Sequence, residues 1–259
     1  LVDLSFYSLD EQQKVNYTRA AELAALIREN EELVVSVGGE IGEVGKDNSS
    51  PAELRAYLDG FNRDFKARAG DDAIGLSKVS VQTGTSHGGV PTADGSVAEV
   101  KLDFEVLREL GIVAREYGLA GAVQHGASTL PDELFHRFPE VETAEIHLAT
   151  GFQNALYEHD AFPAELYAEV EKYCFENLSN ERSDGQTDAQ FVYKTRKKAL
   201  GEIKRQLWDL ETKDEIIASQ HAKMKYLFEQ LGIPGNKAIV EKFVSAPERH
   251  KPVPAGLKA

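Results

Sequence analysis

The chain is short of several things, and each shortage removes a class of function. Its single cysteine, Cys174, rules out an internal disulfide and a cysteine-rich zinc site, so any metal would be held by nitrogen and oxygen. Lysine and arginine number 29 against 43 aspartates and glutamates, a formal charge of -14, which disfavours nucleic acid and anionic membrane as partners. No apolar run approaches the ~20 residues of a spanning helix. The N-terminus lacks the basic-then-apolar pattern of a secretion signal, and the expectation is a soluble acidic cytoplasmic protein.

What is there alternates. Leu1-Val2-Asp3-Leu4-Ser5 reads as a buried strand, and Leu9 to Asn30 as an amphipathic helix. Leu33 to Val37 reads as a strand entering the turn Gly38 to Gly42. Ser50-Pro51 with Glu53 marks the start of a helix running to about Ala67. Lys78 to Thr83 is the next strand, Leu102 to Val113 a helix and Ala120 to His125 a strand. A short helix then starts at Leu130-Pro131-Asp132-Glu133, and Ala144 to Thr150 is the fifth strand.

Strand and helix in turn imply parallel βα units. Five lie between Leu1 and Thr150, and a parallel strand is normally covered on both sides, so the first strand implies that the chain begins inside a fold. The expectation is an α/β TIM barrel, (β/α)8, lacking its first strands in this chain. Its five βα units would occupy residues 1–162, followed by a helical extension over 163–259. Helices are expected at Glu165 to Leu178, Phe191 to Leu210, Glu215 to Leu231 and Lys237 to Val244, with Asn180 to Asp188 a polar linker.

The suspicious polar residues gather at strand ends. Gly84 to Gly88 (GTSHG) and His125 to Ser128 (HGAS) each set a histidine in a turn of small residues after an apolar run. Glycines there let backbone amides approach an anion, and the histidine projects from the carboxyl end of its strand. His87 and His125 are therefore read as converging on one metal ion. Glu40, between glycines in an apolar run, is expected to be buried and to need a cation; Asp3 has a weaker claim of the same kind.

His147 stays open between an extra ligand, a substrate contact and a hydrogen-bonded filler. His136, His159, His221 and His250 are expected at the surface or in packing. The basic run from Lys194 to Arg205 is expected to be a solvated helix face. Phe191, Tyr193, Trp208, Tyr226 and Phe228 are expected in the core or in subunit contacts.

In order and spacing, these strand ends resemble those of the class II, metal-dependent fructose-bisphosphate and tagatose-bisphosphate aldolases. The resemblance covers Leu1 to about Thr150, through Asp3 and Ser5, Gly39 to Gly42, GTSHG, Gln124 to Ser128, and Ala149-Thr150. It implies a cytoplasmic lyase of carbohydrate metabolism and glycolysis. The implied reaction is reversible aldol cleavage or condensation of a ketose (bis)phosphate through an enediolate, with Zn2+ or another divalent metal and a homo-oligomeric assembly.

The resemblance makes His87 and His125 two of three histidine ligands, with Glu40 and Asp3 as carboxylates around the metal. It makes Gly88, Gly126, Ser128 and Thr150 the substrate grip, and sets His147 where the family has a substrate-binding asparagine. The third histidine and the acceptor-side aspartate belong to an earlier strand that this sequence does not contain. The loop bearing the family's catalytic glutamate is shortened here, leaving Glu43 or Asp47 as stand-ins, and Gly89-Val90-Pro91 replaces a Tyr-Lys. These departures keep two alternatives in view: a non-catalytic sugar-phosphate-binding barrel, and a metal-dependent ketose-phosphate epimerase or isomerase.

Overall fold

The computed structural model describes residues 6–42, 47–84, 92 and 102–245. The strand expected at Leu1 to Ser5 and the tail with His250 lie outside them. Four parallel strands form one sheet in chain order: β1 Gly38–Glu40, β2 Lys78–Val81, β3 Ala122–Gln124 and β4 Glu145–Ile146. Between them run α1 Leu9–Asn30 (before β1), α2 Pro51–Ala69, α3 Phe104–Glu116 and the short α4 Arg137–Glu140. The chain is thus an α/β protein with a parallel sheet. No helix among the described residues is long and apolar enough to cross a membrane.

Local chemistry explains the helix starts. Ser8 and Ser50 each accept a bond from the third helical amide while Glu11 and Glu53 reach back, two complete capping boxes, and Pro51 stands where its missing N–H costs nothing. Asp103 caps α3 by accepting from the amides of Glu105 and Val106.

One helix glycine is paid back by packing. Gly60 lies inside α2, where glycine costs roughly 0.5–1 kcal/mol relative to alanine. A Cβ there would stand 2.4 Å from the Tyr17 ring of α1, and Tyr17 is fully buried against it. Burying that ring contributes about 1.5–3 kcal/mol, so the exchange favours glycine.

Two apolar clusters result. The first joins α1, α2 and α3 to one face of the sheet through Tyr17, Leu54, Phe61, Val79, Val81 and Leu110, and Leu227 from a later helix also enters it. The second gathers Tyr157, Phe162, Leu166, Val170, Cys174 and Phe191. Its helices are α5 Thr150–Tyr157, α6 Ala164–Asn177, α7 Asp188–Thr195 and α8 Lys204–Asp209, followed by α9 Lys213–Gln230 and α10 Lys237–Phe243.

Several expectations change. Leu33 to Val37 is irregular rather than β, and Val34 is 69% exposed; the ladder instead begins at Gly38, opposite Lys78. The fifth expected strand shrinks to Glu145–Ile146, and Thr150 opens α5, a helix the apolar pattern did not reveal. The helix expected from Phe191 to Leu210 breaks at the 3-10 turn Arg196–Gly201.

Within that turn Arg196 is buried, not solvated. Its guanidinium bonds Asn154 at 2.8 Å and Glu158 at 2.7 Å and lies over the rings of Tyr157 and Tyr193. The rest of the basic run, including Lys194, Lys204 and Arg205, is exposed as expected.

Candidate functional site

The carboxyl ends of β1, β3 and β4 present Glu40, His125 and His147. Glu40 is anchored through its backbone: its carbonyl accepts a bond from Asn16 Nδ2 of α1 at 2.8 Å, and the next amide, of Ile41, donates to Ser80 of β2 at 2.9 Å. The turn beyond needs glycine, because Gly42 has φ +90° and a Cβ there would meet Ser49 Oγ and Gln82 Cβ at 2.7 Å. Ser49 then clamps this loop to β2, donating its amide to Gln82 O at 2.8 Å and accepting the Gln82 amide at 3.0 Å.

His125 follows β3 and reaches across the end of the sheet. Its Nδ1–H donates to Glu40 Oε1 at 3.2 Å, joining residues 85 positions apart. A carboxylate beside one ring nitrogen fixes the tautomer and aims the other nitrogen, the arrangement that orients imidazole ligands. Glu40 itself corrects an expectation: its side chain is 58% exposed, so water, rather than a buried cation, already relieves its charge.

His147 follows β4, next to β3, and the register that pairs Gln124 with Ile146 brings the two histidines side by side. Their rings stack with centroids 4.3 Å apart and planes 28° apart. Glu145 binds His147 Nε2 through one carboxylate oxygen and Lys78 Nζ through the other. Lys78, then His147, hold the Glu145 carboxyl below its ordinary value. Sequence reasoning passed over Lys78 and Glu145, although Glu145-x-His147 has the period that sets two side chains on one face of a strand.

Gly126, at φ 75°, turns the chain from His125 into the 3-10 turn Ala127–Thr129. Ser128 Oγ accepts the Ala149 amide at 2.9 Å, and Gly151 packs so close that a Cβ would lie 2.5 Å from Ser128 O. A cavity of ≈ 210 Å³ results, lined by His125, Gly126, Ser128, His147, Ala149 and Thr150, with the N-terminus of α5 at its wall.

The described structure therefore brings Glu40, His125, Gly126, Ser128, His147 and Thr150 to one end of the sheet. Asp47 is exposed, and no hydrogen bond or ion pair among the described residues joins it to either histidine. Asp3, Glu43, His87 and Gly88 lie outside the described residues. His136 and His221 are exposed, and His159 accepts the Ala161 amide at 3.0 Å, consistent with packing roles.

The donor types at the site suit a divalent ion bound through nitrogen and oxygen. Among the described residues, however, no group of three His, Cys, Asp or Glu side chains is placed to hold one.

Comparison with known proteins gives the ancestry. Among solved structures, the chain is similar to a probable tagatose 6 phosphate kinase from Sinorhizobium meliloti 1021, at 17% identity and a TM-score of 0.53. The match covers 89% of this chain and 61% of that one, a likeness of fold alone. No curated protein matches at a significant level. The family model described as fructose-bisphosphate aldolase class-II matches residues 1–214, more than half of the sequence, and on this ground the chain belongs to the class II fructose-bisphosphate aldolase family.

Proposed function

We propose that this chain carries a class II-type aldolase site for reversible aldol cleavage and condensation of a ketose (bis)phosphate. The observation that carries the reading is the convergence of Glu40, His125 and His147 at the carboxyl ends of three parallel strands, where ligands of α/β folds gather. The fold reading that goes with it is a (β/α)8 barrel of which this sheet is a part, with the later helices as an extension that serves homo-oligomer contacts.

His125 and His87 would hold Zn2+ or another divalent ion, with Glu40, and in a lesser role Asp3, as the supporting carboxylates. The ion, when bound, supplies Lewis-acid polarisation of the substrate oxygens. Glu40 keeps the His125 ring in one tautomer and orientation. The amides that open α5 at Thr150 and Gly151, with Gly88, Gly126 and the Ser128 hydroxyl, would grip the donor phosphate, since a helix N-terminus offers unsatisfied N–H groups and a favourable dipole. His147 contacts the substrate from β4. Glu43 or Asp47 would take the donor's proton, with Glu43 favoured because Asp47 points to solvent.

A second reading, sugar-phosphate binding without cleavage, draws support from the shortened loop after Glu40 and from Gly89-Val90-Pro91 standing where the family has a Tyr-Lys. Epimerisation or isomerisation of the same substrate class is the third outcome. One experiment separates them: incubation with a ketose bisphosphate, followed by product analysis before and after a strong chelator and after zinc is restored. Two shorter carbonyl products that vanish with the chelator and return with zinc support the aldolase. A rearranged ketose supports the isomerase, and binding without turnover supports the non-catalytic reading. A His87→Ala/His125→Ala variant that still cleaves would sink the proposal.

A further inference from the structure

The face of the sheet turned away from α1, α2 and α3 carries, behind His147, a lysine and a carboxylate to which the proposed aldol chemistry gives no part. Val79 and Val81 point into the helix-covered core, so strand alternation places Lys78 on the opposite face, and in β4 the same alternation sets Glu145 and His147 together. The Lys78 side chain crosses β3 to reach Glu145 Oε2, and Glu145 Oε1 meets His147 Nε2.

Donor and acceptor counting fixes the hydrogens. An ammonium group only donates and an ionised carboxylate only accepts, so the nitrogen facing Glu145 must carry hydrogen. Lys78 keeps the carboxylate ionised, holding its carboxyl below the ordinary value. A neutral imidazole with hydrogen on Nε2 has a lone pair on Nδ1. Among the described residues nothing donates to that atom, and His147 lines the ≈ 210 Å³ cavity together with Ser128 and Thr150.

We propose that Lys78 and Glu145 are positioning residues that lock His147 as an Nδ1 acceptor, so that the cavity selects a ligand presenting a hydroxyl donor there. The ligand class, a hydroxylated keto-phosphate, rests on the function proposed above, whereas the tautomer does not.

The decisive variant is Glu145→Gln. Lys78, a donor only, claims the carboxamide oxygen and turns the amide NH2 toward His147 Nε2, which must then accept, and the hydrogen moves to Nδ1. Replacing the carboxylate behind a catalytic histidine by its amide reverses a tautomer in the same way. Removing the lysine as well, in Lys78→Met/Glu145→Gln, frees the carboxamide to turn its oxygen back, and the Nε2–H form returns. A salt bridge that merely stabilises the fold gives no such reversal.

The test is 15N NMR of the His147 ring in the full chain at mildly alkaline pH. It runs alongside binding of dihydroxyacetone phosphate and of its analogue lacking the free hydroxyl, acetol phosphate. Expected are Nε2–H in the unmodified protein, Nδ1–H in Glu145→Gln and Nε2–H again in the double variant. The preference for the hydroxylated ligand, about tenfold for one hydrogen bond of this kind, should collapse only in Glu145→Gln.

Hydrogen on Nδ1 in the unmodified protein, or a tautomer indifferent to Glu145→Gln, overturns the proposal. So does a ligand preference unchanged by the switch. If the tautomers switch as stated but neither phosphate binds, the locking device stands and the sugar-phosphate reading of the cavity falls.

Discussion

Substituting Gly39 by alanine tests whether the strand that delivers Glu40 is set by steric fit against α2. A Cβ at this position would lie 2.5 Å from the Tyr57 hydroxyl oxygen, 2.9 Å from Tyr57 Cε1 and 2.9 Å from Leu76 Cδ1. Leu76 can yield through its terminal methyl. Tyr57 has less freedom, because it is fully buried and its ring stacks on Phe61 with centroids 6.5 Å apart. Overpacking of this kind costs about 1–3 kcal/mol, partly offset by the roughly 0.4–1 kcal/mol that alanine gains by restricting the unfolded chain. The net expectation is a loss of about 1–2 kcal/mol.

The hydroxyl is the nearest obstacle, so its removal should matter. Burial pushes the Tyr57 phenol up to about 12, with the Glu40 backbone beside it pulling the other way. No hydrogen-bond partner among the described residues satisfies the hydroxyl in good geometry, so Tyr57→Phe alone should shift stability by less than about 1 kcal/mol. Combined with Gly39→Ala, it should recover about 1 kcal/mol. Urea unfolding of the four proteins, followed by far-UV circular dichroism, measures the cycle. Additivity within about 0.3 kcal/mol would show that the added methyl does not meet the hydroxyl and would refute the reasoning.

Other expectations concern charge and burial. Arg196→Met should lower stability by about 1–3 kcal/mol, through lost bonds to Asn154 and Glu158 and lost ring contacts; an unchanged thermal midpoint contradicts this. Because Lys78 and His147 lower the Glu145 pKa in the folded state, that carboxylate contributes stability above its unfolded value of about 4.5, lost as pH falls through the lower folded value. Lys78→Met should therefore be less stable than the unmodified protein near neutrality, with the gap closing in acid; a constant gap across that window argues against the pairing. Cys174 is fully buried and burial raises its thiol, so iodoacetamide should label it only on unfolding, and rapid labelling of the native chain contradicts the packing of α6.

The first two helices were legible because their signals are local: Ser50-Pro51 with Glu53 announces the start of α2 within four residues, and the amphipathic pattern of Leu9 to Asn30 coincides with α1. Strands are set by partners elsewhere in the chain, and there the reading slipped. Leu33 to Val37 has a strand's composition, yet the Val35 carbonyl accepts from Arg28 Nη1 at 2.7 Å, and the segment meets the chain entering β2 at Ser77, whose amide donates to Val37 O at 2.9 Å and whose hydroxyl pairs with Ser36 Oγ at 2.7 Å. Thr150 looked like the end of a strand because it follows an apolar run; Ser128 Oγ takes the preceding amide, and the chain turns into α5.

The same distinction governs the site. Gly126 and Gly42 mark turns that demand positive φ, and glycine is the residue whose backbone needs are plainest in a sequence. Gly126 located the end of β3 and with it His125, whereas the turn expected over Gly38 to Gly42 holds β1 itself, so that Glu40 closes the strand. Which side chains meet at those ends is a question of register, since a slip of one residue turns every side chain to the other face. With Gln124 opposite Ile146, His125 stacks on His147 and Glu145 stays within reach of Lys78 two strands away. Shift β4 by one residue and Ile146 would take the place of His147 beside His125, while Glu145 and His147 would enter the apolar layer at the cost of unpaired buried polar groups. That penalty is the physical reason the register holds. The polar chain from Lys78 to His147 therefore helps to specify the sheet as well as the histidine it orients.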